Sequence, residues 1–301
     1  MSSRKTTNLY EEKNKIEAGT LYLVATPIGN LSDLSERAVK VLREVDFIAA
    51  EDTRNSVRML TYLGIKKPLV SYFEHNKAAR GDLLCERLAA GESCALITDA
   101  GTPAISDPGE DIVRLCAERG IPVTSIPGPC AAIVSLTLSA LPTGRFTFEG
   151  FLSTDKAERR DRLLSLREEE RTMIFHEAPH KLKRTLSDFV EAFGNSRRIA
   201  LCRELTKKNE EVMRVTIAQA VRYYEENEPR GEYVLVVEGI QRAKTTDASV
   251  EGSALSLREE VLQKMAQGIS KMDAIKQVAH AHGLAKNEVY QEMLKENDEH
   301  A

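Results

Sequence analysis

Asp99-Ala100-Gly101-Thr102-Pro103-Ala104-Ile105-Ser106-Asp107-Pro108-Gly109 is the stretch on which the fold turns. It follows Cys94 to Thr98, an apolar run with the character of a buried parallel strand. The stretch holds two Gly, two Pro, two Asp and two hydroxyl residues, so it neither continues a strand nor makes an ordinary helix. Small side chains there leave backbone N–H and C=O groups open to close approach by a ligand. Plain strand-to-helix connections are usually ~2–6 residues, so this one is long. In open α/β sheets, ligands sit outside the carboxyl ends of strands, where such loops emerge.

Working outward, Leu21 to Pro27, Asp46 to Ala50, Leu69 to Phe73 and Pro122 to Ile126 also read as strands. Helices are expected after Ser32 or Asp33, from Thr53 as cap through Leu63, from Lys77 to Ala90, up to Arg119, and from Ala131 to Ala140. Five strand–helix alternations imply βαβ units and a mainly parallel sheet. Leu141-Pro142-Thr143-Gly144 then reads as a domain boundary.

Beyond it, Phe146 to Leu152, Thr172 to His176, Arg198 to Glu204, Val212 to Ile217 and Tyr233 to Val237 are expected strands. Helices are expected over 155–170, Lys181 to Phe193 and Ala218 to Glu226. Only Thr206 to Glu211 separates two of these strands, so they form a hairpin and the second sheet is mixed. From Ser256 the chain is helical, with Leu257, Val261, Leu262 and Met265 on one face, a Ser270/Asp273 cap and a Gly283 stop. A helix, a glycine turn and a helix suggest a helix-turn-helix. Residues 253–301, however, carry six Lys/Arg against eight Asp/Glu, so a tail packing on its own protein fits equally. The resulting reading is an α/β chain: an arm at 1–17, one α/β domain at 18–141, a second at 145–241, a linker over 241–254 and a helical appendage at 255–298.

The chain's 301 residues and 42% hydrophobic content suffice for two cores, and 29% charged residues fit a soluble, cytoplasmic protein. A net charge of −4 gives no global field to attract nucleic acid, so an RNA site has to be a local patch. The five cysteines form no C-x-x-C pair and read as reduced core residues; the six His show no metal-ligand spacing. No signal peptide and no apolar stretch long enough for a bilayer is present.

Three motifs are absent: G-x-G-x-x-G after the first strand, G-x-x-x-x-G-K-[ST], and G-x-S-x-G. What remains are small Pro/Gly-rich loops at 26–30, 99–109 and 127–131, expected to converge at one sheet edge. They offer backbone and the carboxylates Asp99 and Asp107, which suits a cationic or amphipathic ligand better than a pyrophosphate.

Thr26-Pro27-Ile28-Gly29-Asn30-Leu31, Asp99-Ala100-Gly101-Thr102-Pro103 and Pro127-Gly128-Pro129-Cys130-Ala131 resemble the three loops of the tetrapyrrole methylase-like family, the class III S-adenosylmethionine-dependent methyltransferases. Ala100 departs from the residue usual after the Asp. Ala50 to Arg54, Phe148 to Leu152, Phe175 to His180 and Arg203 to Lys207 resemble the family's ribosomal RNA small subunit branch, whose enzymes 2′-O-methylate a cytidine of 16S ribosomal RNA in the decoding region. The resemblance covers about residues 18–240. It implies a homodimer without metal, acting on 16S ribosomal RNA within the small ribosomal subunit, with S-adenosylmethionine in the cleft between two α/β domains. It implies cofactor contacts at Pro27, Gly29, Asp99, Thr102, Pro103, Ile105, Ser106, Cys130, Ala131 and Leu205, with a second wall near Phe175 to Glu177.

A sulfonium methyl needs no metal. The protein has to align the acceptor, which can supply ~7–11 kcal/mol. A weakly acidic ribose hydroxyl gains about 10²–10⁴-fold from a general base. Asp52, His75, Glu177 and Glu204 lie just past strands and are the candidates; Arg54 and Arg203 could instead hold Asp52 and Glu204 in ion pairs. RNA contacts are expected from Arg54, His180, Arg197, Arg198, Arg203, Lys207 and Lys208, whereas the Arg residues of 155–171 alternate with Glu as on a solvated face. Two rival readings are a same-fold methyltransferase for a tetrapyrrole-like molecule or protein side chain, and a non-catalytic ribosome-associated protein. Intact small loops argue against the latter.

Overall fold

A computed structural model of the chain describes residues 15–75, 77–240 and 256–293. Arm positions 1–14, the linker positions 241–254 and the appendage's last positions, 294–298, lie outside the described residues. The chain divides into two compact units, Met1–Arg242 and Ala243–Ala301.

The first unit holds two five-stranded sheets. Its first half runs β1 (Leu21–Val24), α1 (Glu36–Glu44), β2 (Phe47–Ala50), α2 (Thr53–Tyr62), β3 (Leu69–Ser71), α3 (Lys77–Ala89), β4 (Cys94–Ile97), α4 (Gly109–Glu118), β5 (Val123–Ile126) and α5 (Ala131–Leu138). The strands are all parallel, in the order β3-β2-β4-β1-β5. β1, β2 and β4 are buried on both faces, which is why they read as unbroken apolar runs. Two caps differ from expectation. Asn30 caps a single 3₁₀ turn, and α1 starts after Ser35, whose hydroxyl accepts from the Ala38 N–H. Asp52, not Thr53, caps α2, because its carboxylate reaches the Arg54 N–H at 2.8 Å.

The second half runs β6 (Phe146–Phe151), α6 (Lys156–Ser165), β7 (Thr172–Glu177), α7 (Pro179–Phe193), β8 (Arg198–Arg203), β9 (Glu211–Thr216), α8 (Ile217–Glu226) and β10 (Tyr233–Val237). Strand order is β6-β7-β10-β8-β9; β6 and β7 are parallel and the other pairs antiparallel, including the β8–β9 hairpin. α6 stops at Ser165, short of 170, where Glu168 to Glu170 would place three negative charges on a helix C-terminus. α7 starts early because Pro179 suits a first helical position.

α5 joins the halves. Ala132 and Leu136 pack against Ile174, Ala200, Cys202, Val234 and Val236 of the second sheet. That contact explains a helix made almost wholly of small and apolar residues. The second unit holds α9 (Leu257–Ala266), α10 (Lys271–His282) and α11 (Lys286–Glu292) around Val261, Ile275, Val278 and Val289. Leu262, expected on the apolar face, is 46% exposed. Among the described residues no helix is long and apolar enough to cross a membrane.

One close approach ends β10. A Cβ on Gly239 would sit 2.6 Å from the Arg171 carbonyl oxygen and closer still to that of Glu170. Backbone on both sides leaves no flexible group to yield. Gly239→Ala is therefore expected to destabilise the chain by ~1–3 kcal/mol, read as a lower midpoint in urea. An unchanged midpoint would show that the 169–171 turn moves freely.

Candidate functional site

β4, β1 and β5 are neighbours, so the loops that follow them leave the sheet side by side. Backbone bonds then tie them together. The Thr26 N–H donates to the Gly101 carbonyl at 2.9 Å, and the Gly101 N–H donates back at 3.1 Å. Gly101 has φ +87°, a conformation that favours glycine. The Thr102 hydroxyl donates to the Pro129 carbonyl at 2.9 Å. The convergence expected from the sequence is thus built from named bonds.

A cavity of about 530 Å³ opens where these loops meet the second sheet. Ile28, Thr102, Ile105, Cys130 and Ala131 line it from the first half. Phe151, His176 to His180, Cys202, Leu205 and Glu232 to Val234 line it from the second. Of the ten sequence-named cofactor residues, Thr102, Ile105, Cys130, Ala131 and Leu205 lie on the wall. Pro27, Gly29, Asp99, Pro103 and Ser106 belong to the same loops but do not line it. At Gly29 the absence of a side chain is required. A Cβ there would lie 2.9 Å from the Leu205 carbonyl oxygen, so only glycine lets the first loop close against 205–207.

The carboxylates are arranged differently from the expectation of an anionic pocket. Neither Asp99 nor Asp107 is on the wall. Asp107 folds back on its own loop, accepting from the N–H groups of Ala104 (3.0 Å), Ile105 (3.1 Å) and Gly109 (2.7 Å). Asp99 accepts from the Asn55 side-chain amide at 3.1 Å. The wall is mostly small or apolar, and its carboxylates are Glu177 and Glu232 of the second half.

Among the candidate bases, Glu177 alone lines the cavity, and its carboxylate is turned toward Thr185 on α7. It is 5% exposed, accepts from the Ala178 N–H at 2.9 Å and from the Thr185 hydroxyl, and Thr185 in turn accepts from Arg159 at 2.7 Å. Asp52 is off the wall and held by Arg54, whose side chain and N–H pull its pKa down to about 2. Glu204 is bound by Lys207 at 2.9 Å, which lowers its pKa, and Arg203 pairs with Glu211 instead. His75 is exposed, edge-on to Phe73 at 6.2 Å.

Of the expected RNA contacts, His180 lines the cavity. Arg197 and Arg198 stand at the far end of β8, about 17 Å of strand away, and both engage Glu238. Arg54 and Lys207 are ion-paired, and Lys208 is exposed. His176 falls within the second wall expected over Phe175 to Glu177, whereas Phe151 and Glu232 were not named from sequence as site residues. The signal of Phe151 was faint, because it lies beyond a glycine that breaks the strand's alternation. Among the described residues no cluster of His, Cys, Asp or Glu could hold a metal.

Residues 20–221 match the family model described as Tetrapyrrole (Corrin/Porphyrin) Methylases. The chain belongs to the tetrapyrrole methylase family. It is 45% identical over 277 residues to a Ribosomal RNA small subunit methyltransferase I of Synechocystis sp., covering 92% of this chain and 98% of that one. It is 44% identical to the protein of that name from Halalkalibacterium halodurans, covering 95% and 98%. A uroporphyrin-III-C-methyltransferase from Thermus thermophilus superposes with a TM-score of 0.53 at 21% identity, over 73% of this chain and 94% of that one, a likeness of fold. The resemblance read from the loops is borne out, and tetrapyrrole methylases take their methyl group from S-adenosylmethionine.

Proposed function

We propose that this tetrapyrrole methylase transfers a methyl group to the 2′-hydroxyl of a cytidine in the decoding region of 16S ribosomal RNA. The observation that carries the reading is the tied loop set around one cavity, in a chain 45% identical along nearly its whole length to a protein named for ribosomal RNA methylation. The methyl donor, S-adenosylmethionine, supplies an activated methyl on a sulfonium. The loops at 26–30, 99–109 and 127–131 hold it, through Pro27, Gly29, Asp99, Thr102, Pro103, Ile105, Ser106, Cys130 and Ala131, with Leu205 opposite. The fit is physical: a mostly apolar wall whose charged lining residues are the carboxylates Glu177 and Glu232 accepts an amphipathic cation.

Glu177 is the proton acceptor, in preference to Asp52 and Glu204. A carboxylate whose pKa lies near 2 is a poor base at neutral pH, and Asp52 is such a group. His180, Arg203, Lys207 and Lys208 approach RNA near the cavity, Arg54, Arg197 and Arg198 farther from it. The acceptor is the assembled small subunit, met by a homodimer in the cytoplasm, with the cleft between α/β domains at 18–141 and 145–241.

Incubation with methyl-labelled S-adenosylmethionine and unmodified small ribosomal subunits tests this, with free ribosomal RNA and a porphyrin precursor as parallel acceptors. Label in 2′-O-methylcytidine, greatest with subunits, is the expected result. Tight cofactor binding with no RNA label, or label in the porphyrin, would overturn it.

A further inference from the structure

Among the described residues, three buried side-chain polar atoms lack a hydrogen-bond partner: Thr147 Oγ1, His176 Nε2 and Thr206 Oγ1. His176 is the only one of the three that lines the cavity. A buried, unpartnered nitrogen is costly, and a partner that arrives with a ligand removes the cost. Burial draws the His176 pKa below its ordinary value, so the ring is neutral at pH 7 and presents one donor and one acceptor.

The ring stands between two phenylalanines, with Phe148 at 5.2 Å and Phe151 at 5.3 Å, both edge-on. A β-bulge between Phe148 and Gly150 creates this setting, because it shifts the register so that Phe151 pairs with His176. Phe151 is 61% exposed although it lines the cavity. An exposed aromatic face beside an unpartnered neutral imidazole is how proteins receive unstacked RNA bases.

Position separates this corner from the rest of the cavity. Gly29 brings the first loop against Leu205, after β8, whereas Gly150 of β6 meets Ser106 of the 99–109 loop. β8 and β6 are three strand intervals apart, roughly 14 Å. Glu232, the carboxylate acting on His176, is taken by Lys207 at 2.8 Å. The β6 corner therefore has its own stacking surface and its own unfilled hydrogen bond.

We propose that Phe151 and His176 form a subsite for the nucleobase of the acceptor: the base leaves its RNA stack, lies on Phe151 and hydrogen-bonds His176 Nε2. This rests on the reading of RNA as the acceptor. His176→Phe keeps an aromatic ring between Phe148 and Phe151 and deletes the nitrogen; Phe151→Ala removes the platform. In steady-state methylation of unmodified small subunits, each is expected to raise the acceptor KM about 10- to 100-fold. The Kd for S-adenosylmethionine, by calorimetry, is expected to stay within about twofold in Phe151→Ala, which lies outside every expected cofactor contact, while His176→Phe, at the expected second wall, is expected to lose more in acceptor KM than in cofactor Kd. Wild-type activity with unchanged acceptor KM in both variants overturns the subsite alone. So does a cofactor Kd that weakens in step with the acceptor KM, which would place both residues on the cofactor. A wild-type chain that labels no RNA overturns the subsite together with the function it rests on.

Discussion

Glu177→Gln is expected to lower kcat for methyl transfer about 10²–10⁴-fold while the Kd for S-adenosylmethionine and the acceptor KM hold. The substitution keeps shape and removes the basic oxygen. Glu177 closes β7, and its carboxylate is fixed by the Ala178 N–H at 2.9 Å and by the Thr185 hydroxyl. Thr185 is itself oriented by Arg159, which spans from α6 to Asp188 on α7 at 2.5 Å. A glutamine oxygen still accepts the Thr185 hydrogen but its amide nitrogen faces the Ala178 N–H, so thermal unfolding is read beside the rate to separate a chemical deficit from a packing one. Asp52→Asn and Glu204→Gln are the comparisons. Arg54 holds Asp52 ionised down to a pKa of about 2, and Lys207 lowers Glu204, so neither charge is free to take a proton. Single-turnover rates decide between them. A full-rate Glu177→Gln enzyme, or a larger loss in Asp52→Asn, would remove Glu177 from the proton-accepting role.

The parallel half was legible because its signals were local and strong. β1, β2 and β4 are buried apolar runs ended by Pro, Gly or Asp, and β10 falls on the expected residues, Tyr233–Val237. Boundaries failed where a side chain chose between neighbours: Ser35 over Ser32, and Asp52 over Thr53. The loops at 26–30, 99–109 and 127–131 could be read as a ligand set because small residues have little other use there. What sequence could not give was orientation. Asp107 looked like pocket charge and is spent on its own loop. His176 sits one residue from Glu177, yet its place between Phe148 and Phe151 depends on a bulge that no periodicity announces.

Asp107→Ala is expected to weaken S-adenosylmethionine binding by about 100-fold or more without unfolding the chain. One carboxylate accepts three backbone N–H groups, from Ala104, Ile105 and Gly109, at 2.7–3.1 Å. Hydrogen bonds to a charged group contribute about 1.5–3 kcal/mol each. They hold two non-glycine residues in left-handed conformations, Ala104 at φ +68° and Ser106 at φ +61°, which cost ~1–3 kcal/mol apiece. Without the carboxylate that strain has nothing to oppose it, and the loop relaxes. Ile105 then leaves the cavity wall and Ser106 leaves its place against Gly150. A loss of about 3 kcal/mol corresponds to roughly a hundredfold in Kd. Asp107→Asn retains one acceptor oxygen and is expected to fall between the variant and wild type. Calorimetry with S-adenosylmethionine reads the affinity, and thermal unfolding reads the fold. Unchanged affinity in Asp107→Ala would mean that the 99–109 loop does not hold the cofactor. Equal losses in affinity and global stability would make Asp107 a structural residue alone. Weakened binding on a stable fold is the outcome that ties the backbone shape of one eleven-residue loop to the donor it receives.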